Sequence, residues 1–141
     1  MTSTQKTFLL AHSLKELRKI AWDTFSQWIR LRFANDNGMV SCVSCGRLKH
    51  WKEGDAGHWP SIAGRNNSIL FDPRGCHFQC KQCNIFIHGN PAGYDRYMEK
   101  RYGKKIMKEL VRLKQKTVKY EKEDYIKMIS GWTAALKKLN R

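Results

Sequence analysis

Four cysteines, a histidine and an asparagine carry the chemistry this sequence offers. Cys42-Val-Ser-Cys45 and Cys80-Lys-Gln-Cys83 are two Cys-x-x-Cys pairs with 34 residues between them. A pair on a tight turn aims two thiolates at one point, so two pairs supply the four sulfur ligands of a tetrahedral zinc ion. A disulfide framework is the alternative. It is disfavoured because the only early apolar run, Phe8 to Ala11, is too short for a signal peptide, and because Cys76 would be left over. Zinc held by four thiolates is coordinatively closed: it folds a module and does not itself activate water. Catalysis then falls to residues the ion positions, of which two stand out. His58 lies between the cysteine pairs and Asn84 directly follows the fourth thiolate. A strand, loop, strand and helix pinned by one zinc bring them to one cleft, although they are 26 positions apart. There an imidazole can act as general base on water, and an amide oxygen can ligate a hard cation such as Mg²⁺.

The elements that must position these groups follow from pattern. Residues 1 to 12 carry no periodic signal and read as a loose tail. Ser13-Leu-Lys-Glu16 is a capping box opening a helix whose Leu14, Leu17, Ala21, Phe25, Trp28 and Leu31 share one face. Lys15, Arg18, Lys19, Arg30 and Arg32 fall largely off that face, as on a solvated surface, and Asn35-Asp-Asn-Gly38 ends the helix. Met39 to Ser41 is a short strand feeding the first cysteine pair, with Gly46 relaxing the turn behind it. Trp51 to Gly54 reads as a hairpin loop, and Ala56 to Trp59 as a strand ending at Pro60. Residues 61 to 75 have the Gly, Asn and Pro content of a surface loop, and Cys76 to Gln79 returns as the strand that delivers Cys80. A helix from Asn84 is interrupted by Gly89-Asn-Pro91, and a further helical stretch breaks at Gly103. A last helix, 121 to 139, sets Tyr125, Ile129, Trp132, Leu136 and Leu139 on a stripe that suits an internal core face better than a dimer seam. The expected fold class is α+β: a small zinc-stabilised ββα core over 39–92, flanked by an N-terminal tail and basic amphipathic helix (1–38) and a basic helical extension (93–141).

Charge bounds the partners. The chain has 27 Lys and Arg against 12 Asp and Glu, a net +15, which favours polyanions through counterion release. Residues 93–141 contribute 15 Lys and Arg against 6 acids. Nucleic acid is favoured over lipid, because no long helix pairs a basic face with an uninterrupted apolar one. No run approaches the roughly 20 apolar residues of a membrane span, so a protein free of the membrane and working in a reducing, cytoplasmic setting is expected.

Ala56-Gly57-His58, Phe71-Asp72 and Gln79-Cys80-x-x-Cys83-Asn84 followed by Gly89-Asn90 resemble the recombination endonucleases of lambdoid phages called Rap or NinG. Phe25-Ser-x-Trp28-Ile-Arg-Leu-Arg32 is similar to their N-terminal helix, so the likeness covers roughly residues 20 to 100. It implies an HNH or His-Me finger, with a hairpin and helix holding one divalent metal. It implies structure-selective endonuclease action on Holliday junctions and displacement loops in the bacterial host cytoplasm, by metal-assisted phosphodiester hydrolysis. Carried over residue by residue, His58 matches the motif histidine, the general base. Asn84 matches a metal-ligating position for Mg²⁺ or Mn²⁺, and Asp55, three residues before His58, fills the place of the acidic ligand. His77 and His88 take no role. The asparagine that many HNH proteins place five residues before the third cysteine is Gly75 here. Symmetric cuts in two strands would suit a twofold homodimer. No small-molecule cofactor is implied. The competing readings are a zinc-stabilised DNA-binding protein without catalysis, and a scaffold that recruits other recombination proteins.

Overall fold

The computed structural model of the chain describes residues 1–64 and 66–139. Arg65, in the expected surface loop, and Asn140 and Arg141, at the end of the expected helical extension, lie outside the described residues. The fold is α+β: five α-helices, a π-helical turn and two small antiparallel hairpins are seen among the described residues. The chain divides into two compact units, Met1–Trp28 with Lys119–Arg141, and Ile29–Val118. The three segments read from the sequence follow chain order, whereas one of these units joins the two ends of the chain.

In the unit of the chain ends, α1 (Ser3–Leu10) stands where a loose tail was expected. Its start is fixed by a Thr2–Gln5 capping box, each side chain bonding the other's backbone amide. Helix α2 (Leu14–Leu31) opens on the expected Ser13–Glu16 box. Leu17, Ala21 and Phe25 on its apolar face are fully buried. They meet α5 (Lys122–Lys138), whose Trp132 ring lies 5.0 Å from Phe25 and 4.9 Å from Trp28. Tyr125 and Ile129 are buried too, so the stripe serves as an internal core face. Lys6–Glu123, at 3.3 Å, ties α1 to α5.

The other unit carries the cysteines. Strand β1 (Met39–Ser41) pairs with β2 (Leu48–His50), a strand too short for any alternation to betray it. A 3₁₀ turn over Trp51–Glu53 leads into β3 (Gly54–His58), which pairs with β4 (Cys76–Cys80) in the register His58 opposite Cys76. Beyond β4 the chain makes a π-helical turn, Gln82–Phe86, then α3 (Pro91–Arg101) and α4 (Lys104–Lys114), separated at Gly103 as expected. Two cations expected to be solvated are not. Arg30 lies over the Trp51 ring at 4.9 Å. Arg32 donates to the carbonyls of Pro73 at 3.0 Å and Cys76 at 2.8 Å, clamping the entry to β4.

The segment expected as a surface loop, 61–75, proves to be anchored. Ile69 is fully buried with Tyr94, Met98 and Leu110, because α3 and α4 need a third apolar surface to cover their inner faces. Asn67 and Ser68 donate side-chain hydrogen bonds to the carbonyls of Lys114 and Leu113 at the end of α4. Arg74 bridges Asp72 at 2.7 Å and Glu109 of α4 at 3.0 Å.

A buried polar relay joins α3 to the hairpin. Tyr94 donates its hydroxyl to the Gly57 carbonyl at 2.7 Å, so its oxygen accepts from His77 Nδ1 at 3.0 Å. His77 Nε2 therefore holds the lone pair and accepts from the Tyr102 hydroxyl at 2.8 Å. Burial, with Arg32 and Arg101 nearby, pushes this imidazole down to about 3. The unfolded chain takes up a proton at His77 near pH 6.5 while the folded one does not. Stability from this group is thus complete above about pH 6.5 and falls by up to about 1.4 kcal/mol per pH unit as pH drops toward 3. Urea unfolding at pH 6.5 and pH 5 should show the parent losing more stability than His77→Gln, which keeps hydrogen-bonding capacity and cannot titrate. Equal losses would show that His77 is not the titrating group.

Candidate functional site

The four sulfurs of Cys42, Cys45, Cys80 and Cys83 lie within 4.8 Å of one another. The turn after β1 brings the first pair together, with Gly46 N–H on the Cys42 carbonyl at 2.8 Å and Gly46 at φ 79°. The end of β4 and the π-helical turn bring the second. Val43 N–H reaches the Phe78 carbonyl at 3.1 Å, locking the first turn onto β4. Cys45 Sγ and Cys80 Sγ are 3.7 Å apart, close to the edge of about 3.8 Å of a tetrahedron built on Zn–S bonds of about 2.3 Å. Burial raises the Cys42 thiol and pushes Cys83 up to about 12, whereas at Cys80, against burial, hydrogen bonds from its neighbours hold the thiol below the usual range; a bound cation would draw off the remaining protons. The Asn90 amide donates to Cys83 Sγ at 3.3 Å and supports the thiolate form. The tetrad fits a structural zinc ion. Cys76 is fully buried outside the cluster, its thiol raised by burial against the opposing pull of Arg32.

Beside the cluster, β3, β4 and the turn after them form a cleft of ≈ 280 Å³ lined by Gly57, His58, Ser61, Gln79, Asn84 and His88, among others. His58 and Asn84 thus share one cleft, as expected. His58 Nε2 stands 2.9 Å from the Leu70 carbonyl. A carbonyl only accepts, so Nε2 carries the hydrogen and Nδ1 has the lone pair of the neutral ring. Burial lowers the imidazole below its ordinary 6.5, against the opposing pull of the Leu70 bond, so the neutral form prevails at pH 7.

Asp55 sits behind Asn84. Its Oδ2 accepts from Asn84 Nδ2 at 3.0 Å and its Oδ1 pairs with Lys81 Nζ. Both carboxylate oxygens of Asp55 are thus engaged, and Asp55 is not among the residues that line the cleft. Lys81 is half-exposed.

Several residues hold this arrangement in ways that residue type and spacing do not announce. Gln79 is buried and donates to Ser44 Oγ and to the Gly89 carbonyl, both at 2.8 Å, fixing the cleft floor to the first cysteine turn. A Cβ at Gly57 would lie 1.9 Å from Gln79 Oε1 and 3.1 Å from Asn84 Oδ1, so position 57 takes only glycine. Leu70 acts through its backbone alone, held by the Ile69 anchor against α4. At Gly75 the departure from the usual asparagine has a steric reason: a Cβ there would meet the Trp59 carbonyl at 2.7 Å, and Trp59 N–H instead closes the hairpin on the Gly75 carbonyl at 2.9 Å.

The sequence matches the family described as Bacteriophage Lambda NinG protein over residues 2–141. No curated protein and no solved structure matches. No helix among the described residues is long and apolar enough to cross a membrane.

Proposed function

The chain belongs to the bacteriophage lambda NinG protein family, and from that premise we propose that its cleft hydrolyses phosphodiester bonds of branched DNA in the host cytoplasm. The observation that carries the reading is the orientation of His58. Its Nε2 hydrogen is committed to Leu70, its Nδ1 lone pair is basic, and its ring lies in a cleft with Asn84. In this reading β3, β4 and the π-helical turn, which stands where a helix from Asn84 was expected, take the place of the ββα unit of a His-Me finger.

His58 Nδ1 takes a proton from water, and the oxygen attacks phosphorus in line with the departing 3′ oxygen. That oxygen leaves with a proton from solvent, giving a 3′ hydroxyl and a 5′ phosphate. Asn84 Oδ1 and, once Lys81 gives it up, the Asp55 carboxylate would hold a divalent cation such as Mg²⁺ or Mn²⁺, which would supply positive charge to offset the charge growing on the scissile phosphate. Asp55 also orients the Asn84 amide, and Gln79 keeps the cleft floor rigid. The net charge of +15 supplies sequence-independent affinity for DNA. Paired cuts across a junction suit a twofold dimer.

The experiment is direct. Zinc-loaded full-length protein incubated with a four-way junction and Mg²⁺ should cut it, and should cut a linear duplex of equal length far more slowly. Binding without cutting, across Mg²⁺ and Mn²⁺, would leave a zinc-stabilised DNA-binding protein. Neither cutting nor binding would leave a scaffold.

A further inference from the structure

The turn that supplies Asn84 also carries the most exposed apolar surface of its unit. Between Asn84 and His88, which both line the cleft, Ile85, Phe86 and Ile87 are 52%, 75% and 44% exposed. Three consecutive large apolar side chains left in water are an interaction surface rather than a packing accident. Their geometry is fixed. Residues 82–86 form a π-helical turn, a form that recurs at functional sites. Ile87 N–H bonds the Gln82 carbonyl at 2.9 Å, and Gly89 N–H bonds the Cys83 carbonyl at 2.8 Å. Left-handed backbone at His88, Gly89 and Asn90 then turns the chain back. With Cys83 at its base, this is a rigid prong rooted in the metal cluster.

The surroundings select the occupant. Lys81 opens the turn, and Arg47 reaches it through Gln82 Oε1 at 3.3 Å. A second copy of a chain with net charge +15 would bring like charge to this rim. DNA brings the opposite charge, with flat apolar base faces directly inside its phosphates. Two Cα–Cα steps place Phe86 within about 7.6 Å of Asn84, a reach of about two base steps at about 3.4 Å each.

We propose that Ile85, Phe86 and Ile87 form a wedge that inserts between unstacked bases at the branch point beside the scissile phosphate. Apolar wedges of Phe, Leu or Ile serve in this way where proteins kink DNA. Insertion is cheapest where stacking is already interrupted, so the wedge converts a general affinity for DNA into a preference for branches. The inference rests on the reading of the cleft as a DNA site and goes beyond it in assigning the branch selectivity.

The test compares parent, Phe86→Ala and His58→Ala proteins, each full length and zinc loaded. The DNA is a four-way junction with 2-aminopurine at the branch, and a linear duplex of equal length. Phe86 is exposed, so its removal leaves the fold intact. Phe86→Ala is expected to weaken junction binding roughly tenfold, from the loss of one stacking contact, with duplex affinity and salt dependence unchanged. The fluorescence rise that the parent produces at the branch should be lost. His58→Ala should keep both the junction preference and the fluorescence rise while failing to cut, so loss of the nuclease reading and loss of the wedge are separable. Unchanged junction preference and fluorescence in Phe86→Ala would overturn the wedge. So would sedimentation showing that the substitution splits a dimer with the junction preference intact, which would make the patch a contact between copies.

Discussion

His58→Ala is expected to lower junction cleavage by roughly 10²–10⁴-fold, the usual contribution of a positioned general base. Zinc content and junction affinity should stay at the parent's values. The structure makes the demand specific. Nε2 is a committed donor to Leu70, so the ring cannot turn to present the other nitrogen without stranding that carbonyl, at a cost of about 1–3 kcal/mol. Proton abstraction then depends on Nδ1, and the rate should follow the neutral fraction of the ring. Because burial holds the imidazole below 6.5, cleavage should rise with pH through a midpoint below 6.5. A midpoint at or above 7, or an alanine variant that cuts at the parent's rate, would assign the base elsewhere.

The second large effect is expected from zinc. A structural site of this kind contributes about 10–16 kcal/mol of apparent binding free energy at neutral pH, against a total stability of about 5–15 kcal/mol for an ordinary domain. The hairpins over residues 39–80 have strands of three to five residues, too short to persist alone. Stripping the ion with a strong chelator, or replacing Cys83 by Ser, should therefore abolish cooperative unfolding of the unit that carries the hairpins. Elemental analysis should find one zinc per chain, and cobalt in its place should give the visible absorption of a tetrahedral thiolate site. Cys76→Ala should keep the full metal content, since Cys76 stands outside the cluster. Metal-free protein with an unchanged melting temperature would remove zinc from the fold.

What the sequence revealed, and what it hid, separates by the range of the interaction. The cysteine pairs were legible because ligand spacing is local and the chemistry of four thiolates is narrow. Strand β4 followed from them, since it delivers Cys80, and β3 was legible from Pro60, which stops a strand near His58, although its first residues Gly54 and Asp55 were not read as strand. Helix α1 has a Thr2–Gln5 capping signature, but its apolar residues fall in one cluster, Phe8 to Leu10, and give no period to read. The 61–75 segment has the composition of a loop and is one; only tertiary packing makes Ile69 a core residue and Leu70 the acceptor that orients His58. A backbone carbonyl leaves no trace in a residue type. The His77, Tyr94 and Tyr102 relay links positions 17 and 25 residues apart, and nothing local announces it. Arg32 reads as one more surface cation because its partners are the main chain of a distant strand.

Asn90 faces two ways. Its side-chain oxygen caps the first turn of α3 through Gly93 N–H at 3.3 Å, while its amide nitrogen rests on Cys83 Sγ. The helix so begun carries Tyr94, which grips the strand next to His58. One short amide is thus a hinge pin common to the metal ligand and the helix. A change at position 90 would therefore reach the cysteine cluster and the start of α3 together.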